Sequence, residues 1–221
     1  YFYGLPLVGI EPDYSLAAEW YEKAAENGLD HAQNNIGNMY ARGIGVAQNY
    51  EKAFYWYSQA AERLNQEAMS NVANCYYLGR GVELDYNKAA EFHTKAANLG
   101  YANSQEVLGE MYMEGKGVEQ NYTQAAYWLK KSCENGERSA FAPFGDCHRK
   151  GLGVEKDEKK AFELYQKGSE MGDLRSKVSM AECLIEGWGT KCDDKYAAQI
   201  LEAVCNAEEE YRENLVTMIT H

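Results

Sequence analysis

Small and large apolar residues return along this chain at spacings of three and four, the period that lines one face of a helix. Ala53, Trp56, Ala60 and Ala61 mark one such face, and Ala32, Ile36, Gly37 and Tyr40 mark a second. Helices of the first kind follow residues whose side chains can accept a hydrogen bond from an orphan N–H of the first turn: Asp13, Asn49, Asp85, Asn121, Asp157 and Asp193. They stop at Gly28, Gly100, Gly136 and Gly172, where a left-handed residue ends the helix, with Leu64 departing from the rule. Helices of the second kind run into a Gly-x-Gly turn. The pattern predicts antiparallel helix pairs and an all-α chain.

The pairs recur every 36 residues, and a fixed period of that length marks a repeat architecture. Gly43, Gly79, Gly115, Gly151 and Gly187 are followed two places on by Gly45, Gly81, Gly117, Gly153 and Gly189, and Gly9 fits one period earlier. Ile10, Val46, Val82, Val118 and Val154 follow the second glycine, and Thr190 breaks the series. One helix carries Ala17, Ala53, Ala89, Ala125, Ala161 and Ala197, with Trp20, Trp56, Phe92, Trp128, Leu164 and Ile200 three places on. The other carries Ile36, Val72, Leu108, Phe144 and Met180, and closes with Tyr40, Tyr76 and Tyr112, replaced by His148 and Leu184 in later copies. A Gly-x-Gly that cradles phosphate is a single site after a strand. Here the motif stands between helices in copy after copy, so it reads as a sharp turn with its Val or Ile plugged into the core.

The stretch from Ala32 to Ala53, Ala-x-x-x-Ile-Gly-x-x-Tyr-x-x-Gly-x-Gly-Val-x-x-Asn-x-x-x-Ala, continues through Trp56, Tyr57 and Ala60-Ala61-Glu62. It resembles the Sel-1-like repeat, a relative of the tetratricopeptide repeat, and the resemblance covers about residues 7 to 207. It implies a superhelical α/α solenoid of about six repeats that acts as an adaptor in protein complexes. Residues 1–12 read as a truncated first repeat or apolar strap, 13–207 as the repeats, and 208–221, with Val216 in the register of Ile36, as a capping helix. Thr190, Leu64 and Pro143 depart from the family pattern, and the C-terminal copies are expected to be the least regular.

Charge narrows the partners. With 22 Lys plus Arg against 34 Asp plus Glu, the net charge of -12 argues against nucleic acid and anionic membranes and would steer a basic partner towards the chain. The opening YFYGLPLVGI is too short and too broken to span a bilayer.

Six cysteines could be paired, yet Cys75, Cys147 and Cys183 share a register with Met39 and Met111, and Cys133 and Cys205 one with Ala25, Ala61 and Ala97. They read as small core hydrophobes. Such thiols favour a reducing compartment, while an N-terminus that opens without Met leaves processing and export open. Cys192, in a loop, is the reactive candidate, and a pairing of Cys183 with Cys192 stays open. Cys147-His148 with Cys133 and Cys183 is a poor metal set, since adjacent residues face different sides of a helix and no C-x-x-C occurs. Neither metal nor cofactor is expected. No catalytic triad can be traced and the carboxylates fit solvated helix faces, so no enzymatic activity is expected.

By the family resemblance, the helices bearing Ala32 to Arg42 and their repeats line the concave wall of the solenoid. The variable positions along them are Asn34, Asn38, Arg42, Asn74, Tyr77, Glu106, Glu110, Met113, Asp146, Arg149, Glu182 and Glu186. The early ones suit the backbone of an extended peptide and the later ones a basic segment. The favoured reading is a non-catalytic adaptor, in a bacterial setting possible as an immunity-type protein that occludes a toxin. A second reading, a small-ligand binder or hydrolase-like enzyme, is implied only by the resemblance to a cysteine-rich branch of the family that binds penicillin-like compounds.

Overall fold

The structure, a computed structural model, describes residues 12–219, with side chains described up to residue 207. Gly9, Ile10 and the expected N-terminal strap lie outside the described residues, as does His221. The described residues form eleven α-helices and one 3-10 turn, with no strand among them. In chain order the helices are α1 (Tyr14–Glu26), α2 (Asp30–Arg42), α3 (Tyr50–Glu62), α4 (Gln66–Leu78), α5 (Tyr86–Asn98) and α6 (Ala102–Glu114). They continue as α7 (Tyr122–Glu134), α8 (Phe141–Lys150), α9 (Glu158–Glu170), α10 (Leu174–Glu186) and α11 (Asp194–Ile219).

The six expected caps accept a backbone N–H three residues on, for example Leu16 N to Asp13 Oδ1 at 2.9 Å and Tyr196 N to Asp193 Oδ1 at 2.9 Å. Two caps escaped the sequence pattern: Asn65 starts α4 and Asp173 starts α10. Helix α8 is the irregular one. Pro143 has no N–H to give the first turn, and the segment Arg138–Ala140 winds as a 3-10 turn before α8 begins.

Gly43 ends α2 in the left-handed region at φ 70°. Two residues on, Gly45 shares that region, and a Cβ there would collide with the backbone carbonyl of Tyr14 at the head of α1. The second glycines of the later copies meet Tyr50, Tyr86, Tyr122 and Glu158 in the same way. Backbone occupies the space that a phosphate would need.

The chain divides into two compact units, Tyr1–Met111 with Gly115–Glu119 and Tyr112–Glu114 with Gln120–His221. In the first, Ala17, Ala25, Ile36, Ala53, Tyr57, Ala60, Ala68 and Val72 form one buried cluster against which Val46 and Val82 pack. Ala89, Ala90 and Met111 form another, with Val118 as its plug. In the second unit Ala126, Leu129, Phe144 and Cys147 pack together, as do Ala161, Tyr165, Met180, Ala181 and Leu184. Alanine recurs at the contacts because only a small side chain lets adjacent helix backbones approach closely.

Helix α11 differs from expectation. The period places Glu208 where Gly172 ended the preceding helix of its kind, and without a left-handed residue the helix runs on to Ile219. Residues 208–219 therefore continue α11 rather than turning back as a separate helix, and the register of Val216 lies outside the described side chains.

Candidate protein-binding surface

In the first unit the expected positions lie on α2, α4 and α6. Between α2 and α4 is an open groove of about 440 Å³ with Asn38, Arg42, Asn71, Asn74 and Arg80 on its walls. Tyr57 stands behind it: its hydroxyl donates to Asn38 Oδ1 at 2.8 Å and fixes that amide's orientation. Burial pushes the Tyr57 phenol upward, so it stays a donor, and pushes the nearby Cys75 thiol up to about 11. Asn71 Nδ2 donates to Asn34 Oδ1 at 2.9 Å. The groove thus presents the Asn74 amide with the open halves of Asn38 and Asn71, groups that can both donate and accept hydrogen bonds.

Asn34, expected on the surface, is only 2% exposed and serves as the buried partner of Asn71. Glu106 is buried and Glu110 half-buried, and both are engaged with neighbouring groups. Tyr77 leans towards the next turn, where its hydroxyl accepts from Lys116 Nζ at 2.8 Å, with the ammonium 4.2 Å from its ring and 4.4 Å from that of Tyr86. Asn71 and Arg80 were missed. Arg80 is the middle residue of its Gly-x-Gly turn, a position occupied by Ile44, Lys116, Leu152 and Trp188 in other copies, and that variability was the available signal.

In the second unit Asp146 is less available than its sequence suggested. Its carboxylate accepts from Tyr165 Oη at 2.6 Å and lies 3.3 Å from Arg149 and 3.4 Å from Lys150. Arg149 also lies 4.8 Å from the centre of the Trp188 ring. Met113 is half-buried beside Cys147, sulfur to sulfur at 3.7 Å. Glu182 and Glu186 are exposed on α10.

Among the described residues no three His, Cys, Asp or Glu side chains converge as metal ligands, and no helix is long and apolar enough to cross a membrane. Cys75, Cys147 and Cys183 are buried and Cys192 is exposed. Cys205 is exposed too, contrary to its packing register.

The Sel1 repeat pattern matches residues 1–29, 30–63, 66–101, 102–137 and 145–173. The chain belongs to the Sel1 repeat family. A Sel1 repeat protein of Oxalobacter formigenes has a similar structure, with 29% identity, 87% of this chain and 84% of that one covered, and a TM-score of 0.76. The protective antigen c5321 of uropathogenic Escherichia coli matches at 28% identity and a TM-score of 0.82 over 90% of this chain, which spans 43% of the antigen. The immunity protein Pa5087 of Pseudomonas aeruginosa shares the fold at 19% identity and a TM-score of 0.57, with 89% and 76% of the chains covered. Among curated proteins none matches. Sel1 repeats stack into helical solenoids, a fold that generally serves as a non-enzymatic scaffold for protein binding.

Proposed function

We propose that this Sel1 repeat protein is a non-catalytic adaptor that holds an extended peptide in the groove between α2 and α4. The observation that carries the proposal is the triad of amides, Asn38, Asn71 and Asn74, on the walls of one groove, with Asn38 braced from behind by Tyr57. Side-chain amides can pair with the N–H and C=O groups of a bound backbone whatever its sequence, and flanking residues then select among peptides. On α10, exposed Glu182 and Glu186 favour a basic surface as a second point of contact. Occlusion of a toxin, the immunity-type role, would be one form of such binding.

The test is selection from a displayed peptide library by the wild-type chain and by an Asn38→Asp, Asn74→Ala variant. Aspartate preserves an acceptor for Tyr57, as Asp146 does for Tyr165, and the variant should keep its helicity. Peptides enriched by the wild type should bind the variant at least tenfold more weakly, the loss of one or two hydrogen bonds. Equal binding by both proteins would remove the groove from the account.

A further inference from the structure

The first copy of the tyrosine register is a closed arrangement. Tyr40 Oη donates to Glu22 Oε1 at 2.9 Å, and Lys52 Nζ lies 3.3 Å from the same hydroxyl and 4.8 Å from the ring centre. One carboxylate, one phenol and one ammonium, from α1, α2 and α3, balance one another. Three periods later the same positions on α7, α8 and α9 hold Lys130, His148 and Lys160. The carboxylate has become a second ammonium, and the phenol a shorter imidazole.

A cavity of about 490 Å³ stands there, with His148, Lys130 and Lys160 on its wall and Phe144, Leu164 and Tyr127 among its apolar lining. His148 is 6% exposed and neither ring nitrogen has a hydrogen-bond partner. The Glu155 carbonyl is near enough to favour the charged ring without reaching hydrogen-bonding geometry. Burial, reinforced by Lys160, holds the imidazole below its ordinary pKa, and the neutral ring keeps one N–H to donate.

The surrounding carboxylates are otherwise occupied or solvated. Asp157 caps α9, Glu158 pairs with Lys156 at 2.8 Å, and Glu134 meets Lys130 at 3.7 Å with both side chains at least 60% exposed. A solvated pair of that kind contributes little. Among the described residues no carboxylate lies within ion-pair distance of Lys160.

We propose that this cavity binds a small amphipathic carboxylate. The head group takes the place that Glu22 holds in the first copy, between Lys130 and Lys160 and within reach of His148, and the hydrocarbon lies against Phe144 and Leu164. An apolar hollow of this volume with a few convergent polar groups is the usual form of a small-molecule site. The proposal is independent of the peptide groove, since its residues lie in the other unit.

The test is calorimetric titration of the intact chain with octanoate and with octanamide, its uncharged analogue. Octanoate should bind once per chain and at least ten times more tightly than octanamide. A Lys130→Glu, His148→Tyr variant, which rebuilds the arrangement of the first copy, should fold and lose octanoate at least tenfold. Lys130→Ala, at a mostly exposed side chain, should weaken octanoate and leave octanamide unchanged whether or not the double variant folds. Absence of octanoate binding at millimolar concentration, equal affinity for the two ligands, or indifference to Lys130→Ala would each overturn the proposal.

Discussion

At the scale of single residues, the glycines inside α2 and α8, Gly37 and Gly145, are the most exacting positions. Gly37 faces the Tyr57 ring so closely that a Cβ would stand 2.6 Å from a ring carbon, and Gly145 faces Tyr165 in the same way. The tyrosines cannot withdraw, because each hydroxyl is held by Asn38 or Asp146. Gly37→Ala should therefore destabilise the chain by about 1–3 kcal/mol, the usual cost of overpacking a core, seen as a lower urea midpoint. A change below about 0.5 kcal/mol would mean that the ring is freer than its hydrogen bond implies. The need for a small residue was legible in the Ile-Gly and Phe-Gly pairs, whereas the tyrosine that imposes it comes from another helix. Asn34 and Glu106 illustrate the converse: their place in the period suggested exposure, yet both are buried, Asn34 against Asn71 of α4, and a one-dimensional pattern does not say which polar residues will be buried.

At the scale of elements, the caps and turns were the most readable part, since each demands a particular backbone chemistry. Leu64 is instructive because the sequence marked it as a departure, while its backbone takes φ 64°, the left-handed turn its glycine counterparts make. A side chain in that region costs roughly 1–2 kcal/mol, partly offset by the flexibility that glycine adds to the unfolded chain. With Leu64 67% exposed there is little packing to lose, so Leu64→Gly should raise stability by about 0.5–1 kcal/mol. Thermal unfolding of the two proteins side by side checks the sign, and a lower Tm in the variant would show that Leu64 packs more than its exposure indicates. Helix α11 is the same rule in reverse, a missing left-handed residue at Glu208 and a helix of 26 residues.

For the whole molecule, the pH dependence of stability should carry the mark of one residue. His93 is fully buried, with Nδ1 3.1 Å from Ser104 Oγ, and burial lowers its pKa to about 4. The unfolded chain, near the ordinary histidine pKa of about 6.5, binds this proton more readily than the folded one. Stability is then highest above pH 6.5 and falls as the pH drops towards 4, by up to about 3 kcal/mol from this group. His93→Leu, which copies Leu129 at the equivalent position, should flatten that part of the profile in urea titrations at pH 7 and pH 4.5. An unchanged slope would assign the acid sensitivity to other groups. Composition could not single out this histidine, because its burial depends on the helices packed around it.

The meeting of each second turn glycine with the carbonyl at the head of an earlier helix is also a grammar for the gene. A chain cut after Gly45 and resumed after Gly81 keeps a glycine to meet a helix head at the new seam, whereas a deletion that is not a whole number of periods puts the turn glycines out of step with the helix heads. Lineages carrying this joint can therefore lengthen or shorten by whole copies, and differences in size among them should come in steps of one period.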